Sequence, residues 1–238
     1  MGVAENLAAV QARIEDACRG AGRDPGEVRL LPVSKTHGPD KIREAYDAGC
    51  RLFGENKVQE AAEKAEIFAD VADLRWAVIG HLQTNKAKVV AGFASEFHAL
   101  DSIRIADALD KRLQDAGRSL DVFVQVNSSD EDSKFGLPPD EVEAFVRELG
   151  QRDSLRIRGL MTLAVFSDDT ERVRACFVRM QQLQERLRSL DAAAGSFDEL
   201  SMGMSNDFEL AIGHGATTVR VGEAVFGARL RPQDYWPA

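Results

Sequence analysis

Val122-Phe123-Val124-Gln125-Val126 decides the fold class of this chain. Apart from one glutamine the run is apolar on both faces, as expected of a strand covered by helices rather than one with a face in water. Strands of that kind run parallel, and each needs a long crossover to return the chain to the same end of the sheet. Outward from 120–127, further strand candidates fall at 29–34, 51–54, 74–80, 96–100, 156–161, 198–202 and 218–222. Helical patterns lie between them near 38–48, 56–69, 84–91, 102–116, 138–150, 168–190 and 206–213, with an extra N-terminal helix over about 3–20. Eight strand candidates in regular alternation with helices predict a closed (β/α)8 TIM barrel. An open, Rossmann-like sheet is the alternative if one strand is miscounted.

Length agrees with closure. A barrel of this class uses about 250 residues, and the chain has 238 with no linker-like or low-complexity stretch, so one unit is expected over 1–238. The net charge of −9 and the absence of any Lys/Arg cluster exclude a nucleic-acid surface. No segment approaches the roughly 18 uninterrupted apolar residues of a membrane span. Cys18, Cys50 and Cys176 are too scattered for a disulfide framework or a Cys-x-x-Cys metal pair. The leading segment from Asn6 to Arg19 alternates charged and apolar residues and lacks a secretory core. A cytoplasmic protein is expected, a monomer rather than a dimer.

Polar residues gather at the strand ends. Lys35, Asn56, His81 and Asp101 follow the first four strand candidates; Asn127, Met161-Thr162, Ser201 to Ser205 and Arg220 to Glu223 follow the others. In a barrel those ends share one rim, where such folds build their sites. Polar turns after strands are ordinary, but a lysine, an asparagine and an arginine on facing ends are less so. Lys35 closes the run Leu30-Leu31-Pro32-Val33-Ser34-Lys35. A lysine at the mouth of a buried strand sheds water and loses its proton more readily, and a neutral amine attacks aldehydes. The plain alternative is a solvated cap.

At the other end of the chain, Ser201-Met202-Gly203-Met204-Ser205 leads toward a helix expected from about Asn206, and Val219-Arg220-Val221-Gly222-Glu223 ends the last strand candidate. Free N–H groups at a helix start favour a phosphate, and barrels often hold one after strands seven and eight. Ser205 as a simple helix cap and Gly222 as a turn residue are the ordinary readings. Pyridoxal 5′-phosphate needs a lysine, a phosphate cradle and a partner for its ring nitrogen. Arg220 in that last place cannot accept a proton and leaves the ring a poorer electron sink, which argues against aminotransferase chemistry. His37, His81, His98 and His214 show no metal-ligand spacing. Lys134, on a polar loop, and Lys57 and Lys86, near strand ends, are weaker rivals for the aldehyde.

Ser34-Lys35-Thr36, Phe53-Gly54-Glu55-Asn56, Ile79-Gly80-His81-Leu82-Gln83, Arg158-Gly159-Leu160-Met161, Ser201-Met202-Gly203-Met204-Ser205 and Val219-Arg220-Val221-Gly222 together resemble the pyridoxal phosphate homeostasis proteins. These are single-domain relatives of alanine racemase, also described as proline synthase co-transcribed proteins. The likeness runs from about 29 to 229. It implies a barrel like the alanine racemase N-terminal domain, with pyridoxal phosphate held as a Schiff base on Lys35. It also implies Asn56 beside the cofactor, Met204 and Ser205 with the Gly222 and Glu223 backbone at the phosphate, and Arg220 near the ring nitrogen. The acidic loop from Ser128 to Gly136 matches only at Ser133-Lys134 and Gly136.

Two functions are compatible with this. The first is reversible holding of the cofactor, as a buffer or as a donor to apoenzymes, with no established catalytic residue. The second is a pyridoxal-phosphate-dependent amino-acid racemase, which needs an acid–base group on each face. Lys35 suits one face. In the racemases the opposite tyrosine comes from a further domain, and this chain runs only a short way past its last strand candidate. Tyr46 and Tyr235, its two tyrosines, fall in a helical pattern and in the tail.

Overall fold

The computed structural model describes residues 2–129, 131, 135–190 and 195–228; Ser133, Lys134 and Tyr235 lie outside them. Helix α1 (Val3–Gly20) precedes β1 (Arg29–Pro32), α2 (Pro39–Asp47), β2 (Leu52–Glu55) and α3 (Val58–Ile67). Then come β3 (Arg75–Val78), α4 (Ala87–Phe93), β4 (Glu96–Leu100), α5 (Ile103–Asp115) and β5 (Leu120–Val126). The remainder is α6 (Val142–Leu149), β6 (Leu155–Thr162), α7 (Thr170–Arg188), β7 (Gly195–Ser201), α8 (Phe208–Gly213), β8 (Thr218–Val221) and α9 (Glu223–Phe226). Every expected element is present, with ends displaced by no more than about one helical turn. Helix α9 and a short 3-10 turn at Pro25–Glu27 are additions.

All eight strands are parallel, in the order β1-β8-β7-β6-β5-β4-β3-β2. The two ends of that order meet: Val33 bridges Gly54, and Ser34 N–H donates to Gly54 O at 3.0 Å. The sheet is therefore a (β/α)8 barrel, and the open-sheet alternative falls. The crossover helices turn an apolar stripe inward to cover the strands. In α5 the stripe is Ile105, Ala106, Leu109 and Leu113, the one-sided spacing that makes a helix a barrel cover. Full burial of each such leucine contributes roughly 1.5–3 kcal/mol. No helix among the described residues is long and apolar enough to cross a membrane.

Among the described residues, β8 is followed only by the four-residue α9. The N-terminal helix covers that part of the barrel, packing on α8, α9 and α2. Arg13 pairs with Glu209 at 2.5 Å and lies over the Phe208 ring at 4.6 Å. Asn6 Nδ2 donates to Val225 O at 3.0 Å. Beyond α1, Arg23 holds the carbonyls of Ile212 and Ala216 at 2.9 and 2.8 Å. The first segment of the chain thus braces the two short helices next to the rim loops.

Candidate functional site

The C-terminal ends of β7, β8, β1 and β2 form one continuous stretch of rim. Val33 is its hinge, bonded through N–H to Val221 O at 2.9 Å on one side and bridged to Gly54 on the other. Gly222 lies so close that a Cβ there would stand 3.0 Å from Val33 O. Arg220 N–H donates to Gly203 O at 2.9 Å and ties the loop after β7 to β8. These contacts bring half-buried Lys35, exposed Asn56, exposed Met204, half-buried Ser205, buried Arg220, half-buried Gly222 and exposed Glu223 to the same end of the barrel. Every residue expected to line the site is on this rim.

The loop after β7 departs from expectation. Helix α8 begins at Phe208, two residues past the expected start near Asn206, and its cap is Asp207. Asp207 N–H donates to Met204 O at 3.1 Å while its Oδ1 accepts Met204 N–H at 2.5 Å. This closed turn uses up the Met204 N–H and delays the helix, so Ser205 is not the cap. Gly203, at φ 93°, could not carry a side chain, since a Cβ would meet Ala211 Cβ at 2.7 Å. The N–H groups of Ser205, Asn206, Gly222 and Glu223 find no acceptor among the described residues. Four amide donors on two adjoining segments suit an anion.

Behind Arg220 a polar chain crosses the barrel. Arg220 donates through Nη1 to Ser201 Oγ at 2.8 Å and through Nη2 to Thr162 O at 2.7 Å. Ser201 Oγ lies 2.9 Å from His98 Nδ1, and His98 Nε2 lies 2.8 Å from Glu96 Oε2. Arg29 grips Glu96 with both Nη atoms, at 2.6 and 2.9 Å. Glu96 and His98 stand two apart on β4 and so share its inner face. Burial alone would raise the Glu96 carboxyl, but hydrogen bonds from His98 and Arg29, together with the Arg29 charge, bring it down to about 2. Burial lowers His98, and it brings Arg220 down to about 10, which still leaves a cation at neutral pH.

Under Lys35 the turn is held from several sides. Thr36 adopts φ 65°, a strained angle for a β-branched residue, and its buried Oγ1 has no partner among the described residues. Thr36 N–H donates to Glu60 Oε1 at 2.7 Å, and Ser34 Oγ donates to Glu55 Oε1 at 2.6 Å. Lys64, fully buried, donates to Ser34 O, Glu55 Oε1 and Glu60 Oε1 at 2.8, 2.7 and 2.8 Å. Burial, aided by Glu60 and opposed by Lys64, pushes Glu55 up to about 7. Burial and the Lys64 charge lower neighbouring His37, which stacks on Phe226 at 5.3 Å. Sequence reasoning passed over Lys64, because a lysine four residues after a glutamate in a helix reads as a solvated pair.

Other candidates stand apart. Tyr46 lies on outer helix α2 with its hydroxyl on Asp73 at 2.6 Å. His81 is exposed, stacked on Phe135 at 4.1 Å and 3.9 Å from Asp101. Lys57 is exposed, and Lys86 reaches Gln59 at 3.4 Å. The rim thus offers an amine, amide donors for an anion and a fixed guanidinium, a set able to hold an anionic aromatic aldehyde.

Comparison with known proteins agrees in extent and kind. The model of the alanine racemase N-terminal domain matches residues 6–230. The pyridoxal phosphate homeostasis protein of Pseudomonas aeruginosa is 44% identical over 227 residues, covering 95% of this chain and 96% of that one. Among solved structures, an unknown protein from Bifidobacterium adolescentis superposes with a TM-score of 0.89 at 34% identity, covering 94% of each chain. PipY of Synechococcus elongatus, solved with pyridoxal phosphate bound, gives 0.84 at 36% identity, covering 94% of this chain and 100% of its own. With a closed barrel, a lysine-bearing rim and matches over nearly its whole length, the chain belongs to the alanine racemase N-terminal domain family and, within it, to the pyridoxal phosphate homeostasis proteins.

Proposed function

We propose that this protein holds pyridoxal 5′-phosphate reversibly on Lys35 in the cytoplasm and yields it to apoenzymes that use it. The observation that carries the reading is the junction at Val33, where the lysine turn meets the Gly222 backbone and its unbonded amides. Bound there, the cofactor supplies an aldehyde carbon; the Lys35 nitrogen adds to it with loss of one water, and water or another amine reverses the link.

In this reading Ser205, with the amides of Gly222 and Glu223, holds the phosphate, and Asn56 and Met204 border the ring. Arg220, a cation locked by Ser201 and Thr162, faces the ring nitrogen and leaves it without a proton. A cofactor held that way is a weak electron sink, which suits storage better than turnover. Three unpaired cysteines support a reducing compartment.

Mixing the cofactor-loaded protein with a pyridoxal-phosphate-free aminotransferase tests the reading. Activity should return faster than free release of the cofactor allows, as absorbance is lost from the donor. Racemisation of an amino acid at rates on the order of 1–10³ s⁻¹, abolished in Lys35→Ala, would overturn it.

A further inference from the structure

The charged group beneath Lys35 has no part in the cofactor contacts, yet it grips the residues on both sides of that lysine. Ser34 is tied at its carbonyl by Lys64, at its hydroxyl by Glu55 and at its N–H by Gly54. Thr36 is tied at its N–H by Glu60. One ammonium on α3 joins these ties, since Lys64 binds Ser34 O, Glu55 and Glu60 together.

Burying an ammonium and a carboxylate is expensive, and apolar residues of the same volume are often as stable or more so. A purely structural origin therefore explains little. The strained turn accounts for it better. A threonine at φ 65° persists only where its surroundings over-determine it, and the ties from Lys64, Glu55 and Glu60 supply that constraint.

We propose that Lys64, with Glu55 and Glu60, is a clamp that positions Lys35 for covalent capture of an aldehyde. The inference rests on the proposed function. Its consequence is selective: the clamp sets how firmly the aldehyde is held, while the proposed phosphate and ring-nitrogen contacts lie on β8 and after β7 and β8, on elements the clamp does not touch.

The test compares pyridoxal 5′-phosphate with pyridoxamine 5′-phosphate, which carries an amine in place of the aldehyde and cannot link to lysine. In the double variant Lys64→Met/Glu55→Gln, the preference for the aldehyde form should fall by about ten- to hundredfold. Affinity for the amine form should stay near that of wild type. Should the double variant fail to fold, Glu60→Leu, at a partly exposed position, releases the Thr36 tie and one of the three Lys64 contacts while leaving Ser34 held by Lys64 and Glu55. The same selective loss is then expected at smaller size. A folded variant that keeps the wild-type preference, or loses both ligands equally, overturns the clamp. Wild-type protein that shows no preference for the aldehyde form overturns the cofactor reading as well, so the two failures are distinct.

Discussion

Arg220 Nη1 donates to Ser201 Oγ at 2.8 Å, and this bond orients the whole chain behind it. A guanidinium has no acceptor, so the serine oxygen accepts. The ionised Glu96, itself only an acceptor, takes the His98 Nε2 proton, which leaves Nδ1 of a neutral imidazole, 2.9 Å from Ser201 Oγ, to accept the serine proton. His98 then carries its ring proton on Nε2, facing Glu96 at 2.8 Å. Burial keeps the imidazole neutral near neutral pH. Two fixed cations, Arg29 and Arg220, thus flank one carboxylate inside the barrel, and Arg220 reaches the rim already charged and immobilised.

Removing the middle of that chain should be costly. Ser201→Ala leaves buried donor and acceptor groups of Arg220 and His98 unpaired, a loss of about 1–3 kcal/mol. Urea unfolding of the two proteins measures it. A difference of only a few tenths would show that Ser201 does not connect them.

Acid should expose Glu96. Its folded pKa of about 2 lies below its ordinary 4.5, so its stabilisation is complete above about 4.5 and drains away as pH falls through about 2. The span corresponds to on the order of 3 kcal/mol. Glu96→Gln should be less stable than wild type by about that much near neutrality, and the gap should narrow below about pH 4.5. A gap independent of pH would contradict the ion pair.

Two glycines should answer oppositely to the same change. At Gly80 a Cβ would stand 2.1 Å from Asn56 O, which is backbone and cannot step aside. Gly80→Ala should cost about 3 kcal/mol or more and disturb the loop carrying Asn56. Gly92 in α4 is exposed with nothing within 4 Å of a Cβ, so Gly92→Ala should gain about 0.5–1 kcal/mol. Thermal unfolding separates the two, and equal effects would contradict the close approach of β2 and β3.

In the proposed phosphate site, Ser205→Ala should remove one hydrogen bond to a charged oxygen, worth roughly 1.5–3 kcal/mol. Affinity for pyridoxal phosphate should fall by about one to two decades, with little change for pyridoxal. Equilibrium dialysis with both ligands decides, and an equal fall for both would remove Ser205 from the phosphate.

The fold was legible because each strand carried its own mark. Apart from Gln125, Val122 to Val126 is apolar on both sides, and polar residues stop the strands at one end. Features set by side-chain packing were hidden. Ser205, Asn206 and Asp207 are all helix-cap residues in a row, and only the turn from Met204 to Asp207 selects the last of them. Helix α9 is too short to show a period. The alternation of Glu96, Phe97 and His98 reads as a half-exposed strand, whereas the barrel interior buries both polar residues. Lys64 reads as surface for want of any local sign that Ser34, Glu55 and Glu60 would close around it.

Borohydride reduction of the cofactor-loaded protein, followed by peptide mass mapping, tests the central claim most directly. The reduced link should be found on Lys35, and Lys35→Ala, folded as wild type, should trap none. An adduct on Lys134, Lys57 or another lysine, with Lys35 unmodified, would contradict the account.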